Sequence, residues 1–231
     1  MLTVEKIDAD NRRQVRRFVE FPYRLYRDHP QWVPPIRGDI RVMLDRRKHP
    51  FYEHSDADFF LAERSGEVVG RIAALENRAY NAFHGAKTAN FYLFECVDDR
   101  AVAEALVASV VTWARGRGLT TLMGPKGFGV LDGYGLLVEG FEHRQMMTMM
   151  NYNYPYYQAL LEGVGFRKEV DFVSCHIGVD TFQLPERVHR IARRVLERGS
   201  LEIKRFRSVR EVKSWTGRIR EAYNRAFVNN W

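Results

Sequence analysis

The chain has 231 residues, of which 45% are apolar and 28% charged. This is the balance of a folded globular protein, long enough to bury a core without disulfide staples, and it excludes a disordered chain. The net charge of +7 is unevenly spread: residues 1–50 carry 12 Lys/Arg against 7 Asp/Glu, residues 51–180 carry 11 against 17, and residues 181–231 carry 13 against 5. The terminal arginines are scattered along helical patterns (Arg12, Arg13, Arg16, Arg17; Arg187, Arg190, Arg193, Arg194, Arg198). They read as solvated helix faces and argue against nucleic acid as a partner.

Residues 2–7 alternate apolar and polar and predict a strand. Asp8 or Asp10 then caps a helix carrying Val15, Phe18, Val19, Leu25 and Tyr26, which Pro22 is expected to kink or to end at its first half. His29 to Pro35 is a stiff break, followed by a short basic helix from Ile36 to about Arg47. DADFFLAE (56–63) and VVGRIAAL (68–75) form a hairpin about Ser65-Gly66. NFYLFECV (90–97) is a long strand, and Asp98 or Asp99 caps the helix that follows it to about Arg117, with Val102, Leu106, Val110 and Trp113 on its core face.

LTTLMG (119–124) is another strand. GPKGFGVLDGYG (124–135) holds five glycines and a proline in 12 residues, too many for any element interior. LLVEGF (136–141) and QMMTMM (145–150) read as short strands. A helix starts at Pro155, RKEVDFVSCHIGV (167–179) reads as a long strand, and Pro185 opens a helix with Val188, Ile191 and Val195 on one face. Leu2–Trp32 and Leu201–Trp231 both span 30 positions with a strand-then-helix pattern. The echo suggests a second copy of one unit; the rival is that 201–207 completes the first sheet. The expected division is a first domain at 1–180, a connector helix at 181–199 and the start of a second unit at 200–231.

This order of elements resembles the GNAT N-acyltransferase superfamily. The residues that carry the likeness are FFLAERSGEVVGRIAAL, FYLFECVDDRAVAEALVASVVTWARGRG and NYPYYQALLEGVGF, over roughly residues 1–180. HPFYEH, MGP, GYGLLVEGF and NYNYPYY narrow it to a group of bacterial GNAT-like proteins that are longer than this chain and carry two such units. The resemblance implies an α/β (α+β) fold: a mixed, mostly antiparallel sheet flanked by helices, in which strands 90–97 and 119–124 run parallel and splay apart to open a thioester slot. It implies transfer of an acyl group from a coenzyme A or carrier-protein thioester to a small-molecule amine. The donor would be acetyl-CoA or another acyl-CoA. A second GNAT-like unit or a homodimer partner is also implied.

The resemblance also assigns residues. Glu95 stands where the family often places its general base. Val97 and Asn153 fall near positions that hold the cofactor. The family's leaving-group tyrosine corresponds to Leu161, so Tyr157, one turn upstream, or Tyr156 would replace it. The family's phosphate loop is Arg/Gln-x-x-Gly-x-Gly/Ala, whereas this chain reads Asp98-Asp99-Arg100-Ala101-Val102-Ala103 there, without glycine and with two carboxylates. The alternative is therefore a non-catalytic ligand-binding or scaffolding domain.

Read from the residues, the glycine loop makes an anion nest with Gly127 and Lys126 as cofactor-binding groups, and it presents Asp132 and Tyr134 to a substrate. Asn151 belongs to a polar-tipped cluster, Asn151 to Tyr157, that faces the same cavity, and Met146, Met147, Met149 and Met150 either line that pocket or fill core. His54, His143 and His176 have no metal spacing, and no metal is expected. Cys96 and Cys175 form no redox or metal pair. No apolar run approaches the ~18 residues of a membrane span. The start, MLTVEKIDADNRR, lacks a secretory h-region. The expected setting is the cytoplasm, with no membrane partner.

Overall fold

A computed structural model describes every residue except 130, 131, 146–149, 176, 179, 200–202 and 229–231. The chain divides into two units, Met1–Phe172 and Val173–Trp231. The first holds a five-stranded sheet in sequence order: β1 (Leu2–Lys6), β2 (Asp56–Arg64), β3 (Glu67–Glu76), β4 (Thr88–Cys96) and β5 (Thr121–Met123). The first four strands pair antiparallel, and β5 runs parallel to β4. A parallel pair needs a crossover, which α4 (Arg100–Arg115) supplies; α1 (Arg12–Leu25), α2 (Arg37–Leu44), α3 (Arg78–His84) and α5 (Tyr156–Gly163) complete this unit. The mixed, mostly antiparallel sheet expected from the sequence is the one that forms.

Several expectations change. Asn11, not Asp8 or Asp10, caps α1, its side chain accepting from Arg13 N and Gln14 N. Pro22 neither ends nor splits α1, which runs on to Leu25. Helix α3 was not predicted, although Asn77 caps it through Tyr80 N and Gly85 closes it at φ 61°. Residues 136–141 and 167–175 form no strand. Both are rich in apolar residues, but a strand exists only where a partner's ladder receives it. Most of 145–150, including Met146, Met147 and Met149, lies outside the described residues, as does His176.

The sheet has a core on each face. Phe60, Ala62, Ile72, Ala74, Ala89 and Phe91 pack against Val102, Leu106, Val110 and Trp113 of α4 and Tyr157, Leu160 and Leu161 of α5. Phe59, Leu61, Ala73 and Leu75 pack against Phe18, Val19 and Phe21 of α1 and Ile40 and Leu44 of α2. This is the period-two alternation of a sheet covered on both sides. Gly70 lets α4 approach, since a Cβ there would lie 2.8 Å from Leu106 Cδ1 and 3.0 Å from Val102 Cγ1.

In the second unit, α6 (Glu186–Glu197) and α7 (Val209–Ala226) are helices, the latter capped by the Ser208 side chain accepting from Glu211 N. Residues 203–207 are not in a strand, so the strand half of the repeat is not seen among the described residues; Leu201 and Trp231 lie outside them.

Candidate functional site

The site is built on β4, and a bulge decides its geometry. Thr88, Ala89 and Asn90 pair with Thr121, Leu122 and Met123. β5 ends at Met123, leaving the second half of β4 without a strand neighbour on that side. On the other side, Arg71 lies opposite Glu95 and Ala73 opposite Tyr92, so β4 carries one extra residue there. Leu93 sits at φ 50°, a left-handed conformation that is unfavourable for a residue with a Cβ. The extra residue reverses the pleat. Ala89 and Phe91 face α4, and so do Phe94 and Cys96, while Leu93 faces α1. Without the bulge Glu95 would share the face of Phe91; with it, Glu95 meets Arg71 on the α1 face.

Arg71 is 1% exposed and is the largest fully buried side chain among the described residues. Its Nε donates to Glu95 Oε2 at 2.6 Å, its Nη1 donates to the Phe18 carbonyl at 2.9 Å, and its guanidinium lies 4.9 Å from the Phe18 ring centroid. The Phe18 carbonyl is available because Pro22, four residues on, has no N–H to give it. Glu95 itself is 18% exposed. Tyr92, beside it, accepts from Gly133 N at 3.2 Å, and burial, then the nearby Asp132 carboxylate, pushes its phenol up to about 12.

Tyrosines close the open half of β4. Cys96 N donates to Tyr157 Oη at 3.0 Å, and Tyr156 Oη donates to Cys96 O at 2.8 Å. Tyr26 Oη donates to Tyr157 Oη at 3.2 Å, linking α1 to α5. Burial raises all three phenols, so they are neutral donors at physiological pH. Tyr26 also stacks between Trp32 and Tyr154, and Tyr154 stacks on Tyr156. Further along β4, the Phe91 carbonyl accepts from Lys126 N at 2.8 Å.

The start of α4 is filled by the chain itself. Asp99 Oδ1 accepts from Ala101 N at 2.8 Å and from Val102 N at 3.4 Å, and Oδ2 accepts from Arg64 Nη2 at 2.7 Å. Val97 N donates to the Val69 carbonyl and its own carbonyl accepts from Asp99 N, so both backbone groups of Val97 are engaged. These residues do not fit a coenzyme A pyrophosphate in the usual place: the N–H groups that would bind it serve a carboxylate.

In the glycine loop, Asp132 Oδ2 accepts from Gly129 N at 2.7 Å, and Gly127 N donates to the Gly133 carbonyl at 3.3 Å. A Cβ on Gly133 would lie 2.0 Å from Asn151 Oδ1. Asn151 Nδ2 donates to Gly135 O at 2.6 Å, and Asn153 accepts from Leu137 N and donates to Leu137 O. Lys126 Nζ lies 5.2 Å from the Tyr80 ring centroid, burial lowering its pKa. The Tyr134 ring packs on Phe172 at 4.6 Å. The structure thus brings Glu95, Tyr156 and Tyr157 to one end of β4, and Asp132 and Glu95 both act on Tyr92. The two asparagines hold the chain that follows the loop.

Sequence reasoning missed Arg71, Tyr26, Tyr92 and Arg64. Arg71 carries a legible signal, a lone charge within the apolar strand VVGRIAAL. Among the described residues no three His, Cys, Asp or Glu side chains are grouped to hold a metal ion, and no helix is long and apolar enough to cross a membrane.

A parallel pair only three residues long, a bulged central strand and helices on both faces define a GNAT-like fold. No family model matches the chain. Among solved structures, a tandem GNAT protein from the clavulanic acid biosynthesis pathway superposes with a TM-score of 0.50 at 20% identity, over 71% of this chain and 43% of that one. Two curated proteins are related in sequence. Protein YghO of Escherichia coli is 27% identical over 222 residues, which is 96% of this chain and 55% of YghO. The bacterial ceramide synthase of Caulobacter vibrioides is 29% identical over 221 residues, 94% of this chain and 56% of that protein. The chain spans about half the length of these relatives.

Proposed function

We propose that the protein is an N-acyltransferase that moves an acyl group from a thioester to the nitrogen of a long-chain amino alcohol. The observation that carries this reading is the similarity to the bacterial ceramide synthase over 94% of the chain; the GNAT-like fold supports it. A ceramide is the amide of a fatty acid and a long-chain amino alcohol, so a new bond to an amine nitrogen is the chemistry the relative's name describes. In this reading the amine reaches the open half of β4, where Glu95 accepts its proton and the neutral phenol of Tyr156 or Tyr157 is the proton donor nearest the slot. Lys126, Gly127, Asp132, Tyr134, Asn151 and Asn153 form the adjoining wall, with the glycine loop receiving substrate. Residues 200–231 remain, in this proposal, the start of a second unit.

A second reading is favoured by one observation. Asp99 and the tyrosine hydroxyls occupy groups that an acyl donor would use, as expected of a unit that binds a ligand or braces a catalytic neighbour. One experiment separates the two. The chain is incubated with sphinganine and a palmitoyl thioester, offered on coenzyme A and on acyl carrier protein, and the amide is sought by mass spectrometry. Amide formation supports the transferase. Sphinganine binding without amide supports the second reading, and neither binding nor amide overturns both.

A further inference from the structure

We propose that α6 lies in the surface of an anionic phospholipid bilayer, with its apolar row at the acyl boundary and its arginines among the headgroups. The proposal goes beyond acyl transfer and does not depend on it.

Three observations carry it. Leu184, Val188, Ile191 and Val195 recur at the i, i+4, i+7, i+11 spacing of one helix face. Leu184, Val188 and Ile191 are 49%, 44% and 51% exposed, so the second unit leaves this row open. Arg187, Arg194 and Arg198 repeat at i, i+7, i+11 along one border of the row, and Arg190 and Arg193 stand on the far side. Over 186–198 these five arginines face only Glu186 and Glu197 as opposite charges. Among the described residues no ion pair, hydrogen bond or ring contact engages any of the five arginine side chains. In the first unit, by contrast, Arg17, Arg37, Arg46, Arg64, Arg71 and Arg117 each hold a carboxylate.

The charges and the row together select the occupant. Nucleic acid would meet the arginines, but its phosphate backbone offers nothing to the apolar row. A second copy of the helix would cover the row, but would bring its own arginines against these at close range. An anionic bilayer offers both partners: phosphate groups for the guanidinium forks and an apolar layer beneath them. This is the arrangement of a helix that lies in the interface without crossing it. Such a helix needs no long apolar run, so the expectation of no membrane partner, which rests on the lack of a span, is set aside in this proposal. A long-chain amino alcohol partitions into the same layer, so docking would put the chain and its proposed acceptor in one phase.

Vesicles of POPC alone, and of equal parts POPC and POPG, are mixed with the full chain, and the bound fraction is read by flotation at low and at physiological salt. The wild type is expected to bind the anionic vesicles at least tenfold more tightly than the neutral ones, and less tightly as salt rises. I191D puts a carboxylate into the row, and R187Q/R194Q/R198Q removes the border charges; each is expected to lose at least tenfold in affinity for the anionic vesicles. All four positions are exposed, so neither variant empties a core, and circular dichroism verifies the fold. I219D makes the same change on the exposed face of α7 and is expected to bind as the wild type does. The assay holds no amine and no acyl donor. Vesicle binding without amide formation would therefore sink the transferase alone, and amide formation without vesicle binding would sink this proposal alone. Equal binding to the two kinds of vesicle, or anionic binding that survives in I191D or in R187Q/R194Q/R198Q, would overturn it. So would binding to neither vesicle, the result expected of a helix that docks on an acidic protein.

Discussion

Replacing Asp99 by alanine removes the cap of α4 and the ion pair with Arg64 in one step. Loss of an aspartate cap costs about 1 kcal/mol. The ion pair joins side chains that are 43% and 26% exposed, and water screens it to roughly 0–1 kcal/mol. The expected loss is therefore about 1–2 kcal/mol, or about 2–8 °C for a unit of this size. Asparagine caps as well as aspartate but carries no charge, so D99N is expected to lose only the ion-pair share. The hydrogen bond from Arg64, then the N–H groups of Ala101 and Val102, holds the Asp99 carboxyl below the ordinary aspartate value. A carboxylate depressed in the folded state stabilises above its unfolded pKa and loses that contribution as pH falls through the folded one. Wild type and D99N should thus differ at pH 7 and converge below about pH 4. Urea unfolding followed by circular dichroism at both pH values checks this. In the same proteins, calorimetry is expected to show no micromolar binding of coenzyme A to the wild type and tighter pyrophosphate binding by D99N. The account of α4 is refuted if D99A is as stable as wild type at pH 7, or if coenzyme A binds the wild type tightly and a bulky residue at Ala101 abolishes it.

Three further outcomes are expected. Gly70→Ala places a methyl 2.8–3.0 Å from Leu106, Cys96 and Val102 and should cost about 1–3 kcal/mol by overpacking; an unchanged urea midpoint would mean that α4 gives way. Tyr157→Phe strips the Tyr26 hydroxyl and Cys96 N of a buried partner and should cost about 1–3 kcal/mol, with the partly buried Tyr156→Phe costing less; the reverse order would contradict the geometry. Cys96 is buried and burial raises its thiol pKa, whereas Cys175 is exposed. Ellman's reagent should therefore titrate one thiol in the native protein at pH 8 and two in guanidinium.

The parts of the fold that local rules govern were readable. The β2–β3 hairpin follows from alternation on both strands and from Ser65 and Gly66, which take φ 52° and 84° in its turn. Helix α4 follows from its spaced apolar residues and the Asp99 cap, and it is the crossover that the parallel β4–β5 pair, expected from the family resemblance, requires. Whatever depends on pairing was not readable. Residues 167–175 have the apolar residues of a strand and find no partner among the described residues. Helix α3 has a cap at each end but an exposed surface, so its apolar pattern is weak.

The site was half legible. Glu95 could be placed near the end of β4, but its face depends on a bulge at Leu93 that no glycine announces. Arg71 became meaningful only when the register set it opposite Glu95, and Pro22 only when its missing N–H proved to leave the Phe18 carbonyl to Arg71. The glycines of 124–135 signalled close approach correctly. At Gly133 what approaches is the chain's own Asn151, which a composition count cannot reveal.

The central claim, acylation of an amine at the Glu95 end of β4, is tested most directly by one comparison. Wild type and E95Q are supplied with sphinganine and a palmitoyl thioester, and N-palmitoyl sphinganine is quantified by mass spectrometry over time. The account predicts amide from the wild type and at least a tenfold slower rate from an E95Q protein of unchanged fold. Equal rates in the two proteins would contradict it.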